Sequence, residues 1–256
     1  MYLDLLLLKS VNQAKKSFDE GKRACNFYEP SKDRTFPLPV LDKVIWINPE
    51  RMGKGNSKLK DILIFDLPAG SKEGGSCHNS KSCEKTCYAM NQQRQYVNTR
   101  IFRLTNMLLL NQHKETLQTL LETQIKKSKF NTVRIHSSGD FYSQNEIDMW
   151  STIISKFKDH KVYAYTKVNK MFDFSSIKSN DNFNLIDSIV EDKYLNYGSL
   201  DYITRIAEKT GGFLCPATLG KDVKCNRECS YCVTGDKPFF LIHGSNAPKA
   251  QTKKAS

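Results

Sequence analysis

Apolar and polar positions show little periodicity over the first sixty residues and fall into repeating units after them. A helix is expected near the start. The stretch "EPSKDRTFPLPV" carries Pro30, Pro37 and Pro39, which argue against regular structure; "DKVIWINPE" reads as a short strand and "MGKGNSK" as a loop. "ILIFDL" (62–67) is a short apolar run ended by Pro68 and Gly70, the pattern of a buried strand. Residues near 92 to 127 carry Val97, Ile101, Leu104, Leu108, Leu117, Leu120, Leu121 and Ile125 at spacings that predict one long helix. "TVRIHSSGDF" reads as a strand running into a turn, with Val133 and Ile135 on one face and Arg134 and His136 on the other. Ser143 and Glu146 fit a capping box for a helix with Ile147, Trp150, Ile154 and Phe157 on its apolar stripe. "KVYAYTK" and "FNLIDSI" follow as strands, then a helix near 199 to 209 and a strand at "GGFLCPA".

Strands separated by helical segments imply βαβ units and a parallel sheet. The expected fold is α/β, either doubly wound or a full or partial β/α barrel; in both, ligands bind at the carboxyl ends of the strands. The division expected is an N-terminal helical and irregular segment over 1–60 packed on the core, a partial β/α barrel over 61–214, and a Cys-rich extension with a basic tail over 215–256.

Composition narrows the partners. The 256 residues carry a net charge of +12, which favours a polyanion such as nucleic acid, or else is a solvated basic face. No stretch approaches the ~20 apolar residues of a membrane span, and no signal or lipidation pattern is present. A cytoplasmic chain without membrane contact is expected; no sequence feature speaks to subunit number. Cytosolic thiols stay reduced, so clustered cysteines read as metal ligands or redox groups. Cys25, standing alone, reads as an ordinary buried cysteine.

Seven cysteines fall into two groups. Cys77, Cys83 and Cys87 occupy the loop after the first apolar strand; Cys215, Cys225, Cys229 and Cys232 lie near the C-terminus. Four thiolates suit structural zinc or an iron–sulfur cluster. Three leave a position open, as working metal sites do. Cys215 serves either as the fourth ligand of the second group or as the fourth of the first. His78 adjoins Cys77 too closely for easy joint ligation.

At these residues the chain resembles a known family. "GNSKLKDILIFDLPAGSKEGGSC" with the cysteines after it, Arg103 and Asn106, "VRIHSSGDFYSQNEIDMW", "YAYTK" and the closing "CPA" and "CSYC" are similar to the phage and plasmid gene product 88 family, over about residues 53 to 235. A wider resemblance is to radical S-adenosylmethionine (SAM) enzymes, whose three-cysteine loop follows the first strand of a partial β/α barrel. That resemblance implies a [4Fe–4S] cluster on Cys77, Cys83 and Cys87, with Tyr88 as the neighbouring aromatic. It implies SAM recognition by Ser138, Gly139 and Asp140, and a second cluster on Cys215, Cys225, Cys229 and Cys232. The usual three-then-two spacing of such loops occurs here at Cys225, Cys229 and Cys232, whereas the first loop has five then three intervening residues; Asp140 stands where glutamate is usual.

Two functions from different classes follow. One is an iron–sulfur enzyme of radical SAM type, cleaving SAM reductively to act on an unidentified substrate, with nucleic acid as one class. The other is a non-enzymatic, basic, nucleic-acid-binding accessory protein stabilised by zinc or a passive cluster. His136 is either a general base facing the barrel interior with Arg134 or a hydrogen-bonded structural histidine. Tyr163 and Tyr165 line that interior or simply pack. Lys126, Lys127 and Lys129, with Lys221, Lys224 and Arg227, contact phosphates or stay solvated.

Overall fold

Four short parallel strands hold the centre of the computed structural model: β3 (Leu63–Phe65), β4 (Thr132–Ile135), β5 (Lys161–Thr166) and β6 (Phe183–Asp187). They lie side by side in the order in which the chain makes them. The residues described are 2–20, 36–55, 59, 61–72, 74–188, 200–219, 221, 223, 225, 229–235 and 237–240. Cys25, Lys224 and Arg227, singled out from the sequence, lie outside them.

The two faces of the sheet differ. Leu63, Phe65, Val133, Ile135, Val162 and Ala164 point to one side and are buried in a single apolar core. Against this face pack α3 (Val97–Gln112), α4 (Lys114–Lys127) and α5 (Gln144–Lys156), contributing Leu104, Leu108, Leu121, Ile147 and Trp150. Trp150 meets Phe65 edge-on at 5.3 Å. The register aligns Ile64, Arg134, Tyr163 and Asn184 on the opposite face. Arginine, tyrosine and asparagine there make it the polar side, where the first face has only aliphatic and aromatic hydrocarbon.

The periodicity over 92 to 127 does not make one helix. The chain forms α2 (Tyr88–Gln95), α3 and α4, broken at Tyr96 (φ −111°, ψ 101°) and His113 (φ −142°, ψ 49°). One non-helical residue at each break turns the chain so that α3 packs on both neighbours, while the apolar spacing continues across it. α1 (Tyr2–Asp19) lies along α3, with Leu7 and Ala14 in the core.

The proline-rich stretch is likewise more regular than it reads. Phe36–Val40 is β1, antiparallel to β2 (Lys43–Ile47), opposing Pro37 to Trp46 and Pro39 to Val44. Two prolines spaced two apart share one edge, so neither has to donate to the ladder. Leu41 and Asp42 close the hairpin with φ of 41° and 40°, a two-residue turn with both centres left-handed.

The last strand expected from the sequence does not extend the main sheet. β7 (Phe213–Leu214), after α6 (Ser175–Lys178) and α7 (Leu200–Thr210), pairs in parallel with β8 (Pro238–Phe239) as a separate two-stranded sheet. The short α8 (Tyr231–Thr234) packs on β5 and β6. Among the described residues no helix is long and apolar enough to cross a membrane.

Candidate functional site

The loops after β3 and β4 are bound to each other at the carboxyl end of the sheet. Asp66 follows β3 directly. Its Oδ1 accepts the backbone N–H of Ser137 (2.8 Å) and of Ser138 (2.9 Å) and the hydroxyl of Ser137 (2.8 Å). Arg103 of α3 pairs with its other oxygen at 3.4 Å and donates to the Ala89 carbonyl at 2.9 Å. Asn106 donates to the carbonyls of Asp66 and Arg51. Leu67 N–H donates to the Ser138 carbonyl, and the Ser138 hydroxyl donates back to the Leu67 carbonyl.

Gly139 sits where the loops approach most closely. Its φ is +82°, and a Cβ there would lie 2.4 Å from Ser76 Oγ and 2.9 Å from Leu67 Cβ. Glycine alone satisfies both demands. Asp140 is buried; its Oδ1 accepts from the Thr166 hydroxyl (2.7 Å) and Phe141 N–H (2.8 Å), and its Oδ2 from Lys167 N–H (2.8 Å). The three residues predicted to bind a cofactor therefore also tie the ends of β3, β4 and β5 together.

The first cysteine group starts one residue beyond Ser76. Cys77 N–H donates to the Gly70 carbonyl at 2.9 Å. Cys83 lies in a 3-10 helix (Lys81–Thr86), and Cys87 precedes α2. Glu84 braces the loop, accepting from Ser71 N–H and the Ser80 hydroxyl, both at 2.6 Å; these bonds hold its carboxyl below the usual range. His78 is occupied elsewhere, stacked on Tyr142 at 4.9 Å with Nε2 at 2.9 Å from the Tyr142 carbonyl. Burial pushes the Cys77 thiol up to about 12, with Asp140 and Cys83 adding to the rise and Lys167 opposing it. Cys83 is raised by burial and by Cys87, again against Lys167.

The second group gathers Cys215, Cys225, Cys229 and Cys232. Cys225 and Cys229 meet across an isolated bridge, and Cys215 N–H donates to the Phe239 carbonyl beside β8. Burial raises Cys225, and the charges of Cys232, Cys215 and Cys229 raise it further. Cys232 is raised by burial, with Cys215 and Cys229 adding to the rise and the Tyr165 hydroxyl and Arg134 opposing it. Asn184 on β6 pins this segment to the polar face of the sheet, donating to the carbonyls of Cys232 (3.0 Å) and Gly235 (2.8 Å).

All seven thiols are free and partly buried. Among the described residues no set of three or more His, Cys, Asp or Glu side chains is arranged to hold a metal ion. The donor chemistry of each group still suits a thiophilic metal: soft sulfur ligands gathered within mutual electrostatic reach, which must lose protons to bind.

Between the groups stands Arg134. Its guanidinium carbon lies 5.9 Å from the ring centre of Tyr163 and 5.3 Å from that of Tyr165. Tyr88, next to Cys87, donates from its hydroxyl to the Ser137 carbonyl at 2.5 Å.

His136 does not share this face. Its φ of 61° breaks the strand alternation, and its ring turns into the core against Phe65 (5.8 Å) and Phe141 (4.9 Å). There Nε2 stands 2.9 Å from Oε1 of the buried Glu146. The Asp66 clamp was not anticipated; its only sequence signal is an acid placed directly after an apolar strand.

Fold and rim define the class first: an α/β protein with a parallel four-stranded sheet and thiol groups beside its carboxyl end. The Gene product 88 family matches residues 47–227, and the chain belongs to that family. The chain is 27% identical over 219 residues to the Gene 88 protein of Mycobacterium phage D29, an alignment covering 73% of this chain and 89% of that protein. No solved structure matches.

Proposed function

We propose that the chain is an iron–sulfur protein with two cysteine-held [4Fe–4S] clusters on the rim of half a β/α barrel, acting on SAM at the open first cluster. One observation carries the reading. A loop of three free thiols follows the first strand of a parallel sheet whose strands run in chain order, and a second group of four free thiols includes Cys232, held on β5 and β6 through α8 and Asn184. An order without reversal is that of a barrel segment; a doubly wound sheet reverses at its switch point.

In this reading Cys77, Cys83 and Cys87 hold the first cluster, and Cys215, Cys225, Cys229 and Cys232 the second. When bound, a three-thiolate cluster supplies an electron and one open iron. The chain's own residues shape the space around it. Asp66 fixes the Ser137–Ser138 turn, and Asp140 keeps one acceptor position on Oδ2 beyond its three internal donors, available to an ammonium group. The net charge of +12 favours a nucleic-acid substrate or partner.

The test is a SAM-cleavage assay on the anaerobically reconstituted full chain under a strong reductant. The expected product is 5′-deoxyadenosine, absent from Cys83→Ala and reduced in Asp140→Asn. Two intact clusters with neither SAM binding nor cleavage would leave a passive iron–sulfur module. Zinc in both groups would favour the accessory nucleic-acid-binding protein.

A further inference from the structure

We propose that the cavity beside the start of the three-cysteine loop binds an amino-bearing nucleobase. It measures about 490 Å³, within the range of about 300–1,000 Å³ of small-molecule sites. Tyr2 and Leu3 at the start of α1, Met107, Asn111 and Gln112 at the end of α3, the 71–78 loop and Tyr142 enclose it. α1 and α3 place it on the helix-covered side of the sheet, apart from the polar face. Gly74, with φ of +78°, sets bare backbone against α1; a Cβ there would lie 2.7 Å from Leu3 Cδ2. That wall is peptide, with no side chain to fill the space.

Among the described residues no Lys, Arg, Asp or Glu side chain lines the cavity. A phosphate or an alkylammonium would enter without a counter-charge, so the chemistry favours a neutral occupant. The polar groups are mainly acceptors. Asn111 donates to the Met107 carbonyl and Gln112 to the Asp4 carboxylate, and among the described residues neither carboxamide oxygen has a partner. His78 Nε2 stands 2.9 Å from the Tyr142 carbonyl. A carbonyl only accepts, so Nε2 carries the hydrogen and Nδ1 of the neutral ring is an acceptor. The imidazole is stacked on Tyr142 at 4.9 Å and 24°, a preformed aromatic surface. Acceptors beside aromatic rings suit a planar ligand with an exocyclic amino group. Asn111 keeps a second N–H beside its free oxygen, the pairing by which a carboxamide meets the amino group and ring nitrogen of adenine. Uracil and thymine offer a carbonyl in place of that amino group. This inference does not depend on which metal, if any, the thiols hold.

The test follows the His78 imidazole resonances of the full-length, anaerobically purified protein while adenosine, cytidine, uridine and thymidine are added in separate titrations. A saturable shift is expected with adenosine or cytidine, with affinity about tenfold or more above that for uridine and thymidine, the discrimination of one bidentate pair. Asn111 is exposed, so Asn111→Leu, checked by circular dichroism, should keep the fold and weaken adenosine binding about tenfold. Short all-adenine and all-thymine DNA strands identify the source of the base. An all-adenine strand that shifts His78 at lower concentration than adenosine assigns the base to nucleic acid; one that leaves His78 unmoved while adenosine saturates assigns it to a free nucleoside. Equal response to all four nucleosides would overturn the proposal. So would the lack of a saturable shift with any nucleoside or strand, or an adenosine affinity unchanged by Asn111→Leu.

Discussion

Asp66 accepts both the backbone N–H and the hydroxyl of Ser137 on one oxygen, each at 2.8 Å, across 71 residues of chain. This carboxylate decides the spacing between the three-cysteine loop and the turn after β4.

Asp66→Ala should therefore cost about 3 kcal/mol or more, because hydrogen bonds to a charged group contribute about 1.5–3 kcal/mol each and Arg103 would lose its partner. Asp66→Asn should cost less, keeping one acceptor oxygen. Urea unfolding monitored by Trp150 fluorescence measures both. A loss within 0.5 kcal/mol, the usual range for surface positions, would mean that the loops are held by other contacts.

Gly139→Ala should destabilise by about 1–3 kcal/mol from the left-handed backbone, with a further loss from the contact at Ser76. Placing it in a Ser76→Gly background should recover only part, since the Leu67 carbonyl would still lie 3.0 Å from the new methyl. Full recovery in the double variant would show that the backbone conformation carries no cost.

The buried His136–Glu146 pair gives a pH dependence of definite sign. Burial by itself favours neutral imidazole, but the Glu146 carboxylate outweighs it and raises the folded pKa above the ordinary 6.5. The pair's contribution is full below the unfolded pKa and is lost as pH rises through the folded one. Melting temperature should fall as pH climbs above about 6.5, and Glu146→Gln should flatten that fall. An unchanged profile in the variant would assign the pH dependence to other groups.

Binding to DNA or RNA should weaken steeply with salt, log affinity falling by about 0.9 per decade of salt for each phosphate neutralised on duplex DNA. Lys221→Glu should lower the slope by about one if that side chain contacts a phosphate. Absence of binding at low salt would leave the basic surface as a solvation feature.

The sequence makes the four central strands legible because each is a short apolar or alternating run bounded by punctuating residues, such as Pro68 after β3. Ser143 likewise marks the start of α5, where its hydroxyl accepts Glu146 N–H. The failures have local causes. Single non-helical residues at Tyr96 and His113 leave no trace in a 3.6-residue period. Pro37 and Pro39 veto a strand by composition and are admitted by their parity. One positive φ moves His136 to the face opposite its expected one. The two cysteine groups stand out by spacing alone, whereas the Asp66 clamp and the Arg134–Tyr165 pair unite residues far apart in sequence.

The central claim is most directly tested by iron and acid-labile sulfide per chain after anaerobic reconstitution. Two four-iron clusters predict about eight irons and eight sulfides, falling to about four of each in Cys83→Ala. Cys229→Ala should lose the second cluster and, with it, folding stability, since a closed thiolate site contributes directly to folding. Stoichiometric zinc without iron, or an iron content unchanged by Cys83→Ala, would contradict the account.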